Sequence, residues 1–586
     1  MALRHEIDDH DLGLLAEAPR PPLRLVDAPP ADSAMEVEAS GLFLRAVVDS
    51  LGAALRSPGL VAGAVGELAT GLLTATTASL GRAVGREVDG PVAPARDARF
   101  ADPTWEDNAA YWWLRQVHHL NERFVGQVID AAPIDDRTRA KARFAAGLTC
   151  DALAPTNTLA GNPAALTRAF QTGGLSLLRG ARNLADDVAH NGGWPTQVDG
   201  STLEVGRDLA GTGGQVVHRS HFIEVIQYRP RTEAVHEVPL LFCPPWINKY
   251  YILDLAPGRS LVEWALEHGH QCFVISYRNP DATLRDATFD DYLREGPRRA
   301  IEVVKEITGS DVVNTMSVCL GGTLSAMSMA LDAARDDRSV NSASFINTHT
   351  DFTRAGVLGT FTDDATVRLL ERHLRQVGTL DQRHIAHTFS LLRANDLVFG
   401  YVAKNWLMGD TPPAFDLLAW NADGTDMPGR LHADFLRWCY VENRLARGAF
   451  EVEGTRLDLG RISQPTYVVS AVDDHIVPWN SAYQTTQLFG GEDKRFVLST
   501  SGHIAAIVNP PGPKAKHWVN PALPADAEDW LADAELRTGT WWDDWAGWIG
   551  DRAGPMVEPP THLGSDRHPP IGDAPGVYVH GLTADV

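Results

Sequence analysis

Apolar positions recur at spacings of three and four residues through roughly the first 200 positions, then switch to short alternating or continuous runs after about residue 220. The first region reads as helices. Trp113, Leu114, Val117, Leu120, Phe124, Val128 and Ile129 mark one buried helical face, and TWED (Thr104 to Asp107) resembles a capping box ahead of it. The most apolar window, Gly59 to Gly81, is built of Ala, Gly and Thr and broken by Glu67; it predicts a surface-associating helix rather than a membrane span. Residues 1–40, rich in Pro, Ala and Asp and without a period, predict a flexible tail ahead of a helical domain over 41–200.

The second region, 201–586, reads as strands alternating with helices. His221 to Pro230 alternates, and Val238 to Cys243, Gln271 to Tyr277, Asp311 to Val318, Ala343 to Thr348, Thr466 to Ala471 and Arg495 to Thr500 are short apolar runs between helical patterns. That order implies βαβ units and a parallel sheet. The rhythm is interrupted after Thr348, and a helical cap over about 349–445 is expected above the sheet's C-terminal edge, where open α/β sheets place their sites.

Composition narrows the classes. The 586 residues carry a net charge of −23, which disfavours nucleic acid as a partner. Five cysteines are scattered without CxxC pairs, against a disulfide framework or a zinc site and in keeping with a reducing cytosol; no metal is expected. The N-terminal residues show no apolar stretch of a secretory signal.

The chemistry centres on Asn314 to Ala326, NTMSVCLGGTLSA. Cys319 follows a predicted strand, precedes Leu320, Gly321 and Gly322, and opens a helical pattern, which is the strand–turn–helix setting of a nucleophile elbow. A helix N-terminus behind a thiol favours its thiolate. In α/β-hydrolases the chain order is nucleophile, acid, histidine. After the Thr466–Ala471 strand come Asp473 and Asp474, which spacing alone does not separate, with His475 beside them; after the next strand comes His503. Oxyanion donors would be the N–H of Leu320 and, because Pro244 and Pro245 have none, that of Trp246 or Ile247. An acyl-cysteine is a thioester, so loading it from a thioester donor is nearly balanced and passing the acyl group to an alcohol runs downhill. Sulfur therefore favours acyl transfer over plain hydrolysis.

Taken in order, PPWINKYYILDL, SYRNPDATLRDATFDDY, SVCLGGTLSA, LLRANDLVFGYV, DDHIVPW and SGHIAAIVNPP resemble the class I polyhydroxyalkanoate synthases. The resemblance implies a helical N-terminal domain, an α/β-hydrolase catalytic domain with a cap, and polymerisation of (R)-3-hydroxyacyl-CoA, such as 3-hydroxybutyryl-CoA, into polyester with release of CoA. It assigns the catalytic roles to Cys319, Asp474 and His503, and makes Arg393 a contact for CoA phosphates or a brace for the cap. It implies no separate cofactor, a homodimer, and a cytoplasmic enzyme on polymer granules, with phasins as partners and the N-terminal domain serving granule attachment. Two positions depart from the family pattern: Ser317 stands where the elbow box has glycine, and Trp246 where a small residue is usual. Ser317 lies on the strand rather than at the apex. Trp246 either narrows the acyl pocket or stacks against the cap. A thioesterase or intracellular polyester depolymerase of the same fold is the rival enzyme, and a granule-coating protein the rival from another class.

Overall fold

The computed structural model describes residues 30–93 and 97–582. Seven helices build the N-terminal part: α1 (Pro30–Ala54), α2 (Pro58–Ala83), α3 (Thr104–Asp107), α4 (Ala109–Ala131), α5 (Asp136–Ala152), α6 (Pro163–Gln171) and α7 (Leu175–His190). Helix α1 begins inside the segment read as a tail, of which residues 1–29 lie outside the described residues. Phe43 packs against Phe144 of α5 and Phe361 of the cap, and the helix runs back from that anchor through Ala, Met and Glu, good helix formers.

TWED does not cap the long helix. It forms its own single turn, and the extended Asn108 caps α4, accepting the N–H groups of Ala110 (3.0 Å) and Tyr111 (3.3 Å) on its Oδ1. Glu106 is paired with Arg82 and Arg115 instead. Around α4, Leu120, Val128 and Ile129 are buried, while Trp113, Leu114, Val117 and Phe124 are half-buried, because one side packs on α2 and another faces a cavity. Helix α2 is long and apolar enough by length and composition to cross a membrane. Its small residues lie against α4: a Cβ on Gly71 would sit 2.6 Å from Leu120 Cδ2.

The second region is an eleven-stranded sheet: β1 (Gly214–Arg219), β2 (Ile223–Tyr228), β3 (Leu240–Cys243), β4 (Cys272–Tyr277), β5 (Val313–Val318), β6 (Val340–Ile346), β7 (Thr466–Ala471), β8 (Lys494–Ser499), β9 (Lys516–Val519), β10 (Glu535–Thr538) and β11 (Gly572–Asp573), in the order β10-β9-β8-β7-β6-β5-β3-β4-β2-β1-β11. Strands β3 to β8 are parallel, with antiparallel strands outside them. All seven runs expected as strands belong to it. Helix α8 (Leu261–Glu267) follows β3, α9 (Phe289–Leu293) and α10 (Arg299–Thr308) follow β4, and α11 (Leu320–Ala334) follows β5, giving the α/β-hydrolase architecture. The chain between β6 and β7 forms the cap, including α12 (Asp364–Val377) and α13 (Gln382–Leu392).

Candidate active site

Cys319 joins β5 to α11 at φ +51°, a conformation costly for a residue with a Cβ. The turn is pinned on both sides: Cys319 N–H donates to Ile346 O (2.9 Å), and Thr348 Oγ1 donates to Cys319 O (3.3 Å). Two glycines make room for it. A Cβ on Gly321 would sit on the carbonyl oxygens of Cys243 and Pro244, and one on Gly322 would sit on the Thr348 hydroxyl. Beneath the turn Ser317 is buried, and its hydroxyl donates to Ser325 of α11 (2.8 Å). Its register neighbour is Cys243, whose thiol burial pushes up to about 12 against the opposing pull of Ser325 and Ser317. Ser317 therefore ties strand to helix under the elbow.

Asp474, after β7, is buried, whereas Asp473 is exposed. Asp474 Oδ1 accepts the N–H groups of Ile476 (2.9 Å) and Val477 (2.8 Å), and Oδ2 lies 2.7 Å from His503 Nδ1. The carboxylate thus fixes Nδ1 as the protonated nitrogen, which separates the two acids by geometry. His503 opens a short helix after β8 and is 3% exposed. Burial alone would discharge it, but the charge of Asp474, the charge of Cys319 and hydrogen bonds to both push it up to about 10. Its loop is held from two sides. Asn347 Nδ2 donates to His503 O (2.6 Å), and the indoles of Trp541 and Trp542, on the Trp541–Gly550 helix, donate to Ala506 O (2.7 Å) and Ile507 O (3.2 Å).

The other expected residues fall around this centre. Leu320 and Ile247 line the same cavity as Cys319, and Trp246 does not. Trp246 is buried edge-on against Phe289 (6.3 Å) and Phe435 (6.0 Å), a packing position, and the carbonyls of Trp246 and Ile247 accept the Thr425 hydroxyl of the cap. His475 and Arg393 lie beside the site but outside the cavity wall. Burial lowers His475 to about 4, and Arg393 Nε donates to Asp396 (3.1 Å).

Sequence reasoning passed over His349 and Tyr440, which also line the cavity. His349 is buried and uncharged, lowered to about 4 by burial, with Nδ1 2.9 Å from Ser481 Oγ and Nε2 3.3 Å from Ile476 O, so it props the Asp474 loop. Its place just after β6, on the edge shared by Cys319, was the available signal. Tyr440, from the cap, carried none. The cavity holds about 1620 Å³ and is overwhelmingly apolar. Away from its floor, His118, His119 and Glu122 bring ligand-type atoms within 4.8 Å of one another. The Arg99 guanidinium lies 3.6 Å from Glu122, which makes this an ion-pair cluster.

A family model described as the poly-beta-hydroxybutyrate polymerase (PhaC) N-terminus matches residues 96–265, and one described as the alpha/beta hydrolase fold matches 239–510. The chain is 42% identical over 493 residues to the poly(3-hydroxyalkanoate) polymerase subunit PhaC of Cupriavidus necator, covering 83% of each chain. It is 41% identical over 506 residues to poly(3-hydroxyalkanoate) polymerase 2 of Ectopseudomonas oleovorans, covering 86% of this chain and 90% of that one. It is 40% identical over 491 residues to the poly(3-hydroxyalkanoate) polymerase of Methylorubrum extorquens, covering 83% of this chain and 81% of that one. Spanning most of the length of these relatives, the chain belongs to the poly(3-hydroxyalkanoate) polymerase family and is an enzyme of that family.

Proposed function

We propose that this enzyme polymerises (R)-3-hydroxyacyl groups from their CoA thioesters through an acyl intermediate on Cys319. The observation that carries the reading is a cysteine on a strained elbow, beside a buried Asp474–His503 pair, on the floor of a large apolar cavity. His503 Nε2 already carries the proton given up by Cys319, so the sulfur attacks the thioester carbonyl as the thiolate of an ion pair, while Asp474 holds the ring. The N–H of Leu320 and one from Trp246 or Ile247 steady the oxyanion. Collapse expels CoA as thiolate, which recovers the proton from His503. The ring then accepts the proton of a 3-hydroxyl group as its oxygen attacks the acyl-cysteine, forming the ester and freeing the thiolate. Arg393, beside the His503 loop, would meet the CoA phosphates. Exposed apolar side chains on α2 and α7, among them Leu73 and Leu178, support a place for the enzyme on a cytoplasmic polyester granule.

The assay is (R)-3-hydroxybutyryl-CoA with CoA release and insoluble polymer followed together. CoA with polymer is the expected result; CoA with free acid would make the enzyme a hydrolase. Cys319→Ala must abolish CoA release, and retained turnover would sink the mechanism.

A further inference from the structure

Resting on that polymerase reading, we propose that helices α1, α4 and α5 are the far wall of a product channel, through which the growing polyester runs from Cys319 to an exposed apolar ridge on α1. The cavity that begins at Cys319 does not end in the catalytic domain. It continues under the cap and is walled by Phe43, Val47 and Leu51 of α1, Phe124 and Val128 of α4, and Phe144 of α5. On α1 the lining positions are spaced by three and four, so one whole stripe of that helix faces the space. At about 1620 Å³ the cavity exceeds the roughly 300–1,000 Å³ that serve a single small ligand, and an acyl group on Cys319 fills only its floor.

The wall chemistry fits the product. A polyester carries carbonyl acceptors, no charge and no donor within its repeat, so it needs apolar walls with scattered donors such as Asn121 and the Tyr440 hydroxyl, both of which line the cavity. CoA, with the amides of its pantetheine arm and the pyrophosphate beyond it, would leave polar groups unpaired along the same surface. The wall is also fixed in place. Lys141 of α5 is buried between Asp363 and Thr366 (3.0 Å) at the start of α12, and Arg99 bridges Asp151 of α5 (3.0 Å) and Asn395 of the cap (2.9 Å). The outlet is marked by exposure: Leu44, Leu51 and Leu55 line the cavity, yet are 65%, 49% and 75% exposed.

The test uses the full-length wild-type enzyme and two photoprobes: a single-unit acyl-CoA with a diazirine in place of its 3-hydroxyl, and an oligo(3-hydroxybutyryl)-CoA of several units with the diazirine at its distal end. Each acylates Cys319 with release of CoA and cannot elongate; irradiation and peptide mass spectrometry then locate the insertion. The single-unit probe is expected to label the floor around Ile247 and Tyr440. The long probe is expected to label peptides of α1, α4 or α5 at least several-fold more than the short one does. Long-probe label confined to the catalytic sheet, or lost to solvent, with Cys319 fully acylated, would overturn the channel alone. Absence of the acyl adduct at Cys319 with either probe would overturn the polymerase reading, and the channel with it.

Discussion

A carboxylate that already accepts two backbone N–H groups has one oxygen left for a histidine, and Asp474 is so placed. Asp474→Asn keeps the shape but can present an N–H to His503 Nδ1, which leaves the ring in the wrong tautomer. CoA release should fall by roughly a hundred- to ten-thousand-fold with little change in melting temperature. The His503 cation also makes stability depend on pH. Its value rises from 6.5 in the unfolded chain to about 10 here, so its stabilising contribution is full below pH 6.5 and disappears as pH climbs through 10. The melting-temperature advantage of the wild type over His503→Gln should shrink across that window; an advantage that grows would contradict the charge assignment. Ser317 is a separate matter, since it touches Ser325 and Cys243 rather than the cavity. Ser317→Gly removes that hydrogen bond and loosens a buried strand, which should cost about 1–2 kcal/mol in denaturant unfolding and leave CoA release within a few-fold.

At the scale of elements, the elbow depends on how closely α11 approaches β3. The two glycines are not equivalent there. Gly321 faces backbone carbonyls, which cannot move without displacing β3 and the oxyanion loop, whereas Gly322 faces a threonine side chain. Gly321→Ala should therefore cost about 1–3 kcal/mol and most of the CoA release, and Gly322→Ala should do less of both, read from denaturation midpoints and turnover. The strands around this elbow were legible because β3 to β7 are buried on both faces, so their runs carry no charged residue and mix apolar residues with small or amide polar ones. Edge strands escaped notice for the opposite reason: every residue of β10 is exposed, and β11 has two residues. The start of α4 was misplaced because Thr104 and Asn108 both suit a cap, and only the extended backbone at Asn108 decides between them. The order Cys319, Asp474, His503 could be read because each residue follows its own strand onto one edge of the sheet.

Nothing comparable announces how the N-terminal helices meet the cap, because the contacts join residues hundreds of positions apart through single polar pairs. Lys141 and Thr366, or Arg99 and Asn395, carry no periodic signal in a chain of 586 residues. Yet these pairs hold the two walls of the cavity together, and Trp406 Nε1 donating to Asp187 (2.7 Å) adds a third fastening, where a Cβ on Gly180 would sit on the Trp406 carbonyl. The Lys141–Asp363 pair is the most informative to break, since both side chains are largely buried. Removing one partner strands the other charge away from water, at a cost of about 3–5 kcal/mol, whereas neutralising both while keeping the Asp363 cap on α12 costs much less. Lys141→Ala should therefore speed amide hydrogen exchange in both α5 and α12 and lower polymer formation. The Lys141→Met, Asp363→Asn double variant, which keeps a side-chain oxygen to cap the Ala365 and Thr366 N–H groups at the start of α12, should return both toward the wild type. If Lys141→Ala exchanges like the wild type, the pair holds nothing together; if the double variant is as loose as the single, the charge itself, and not the filled space, joins the two walls.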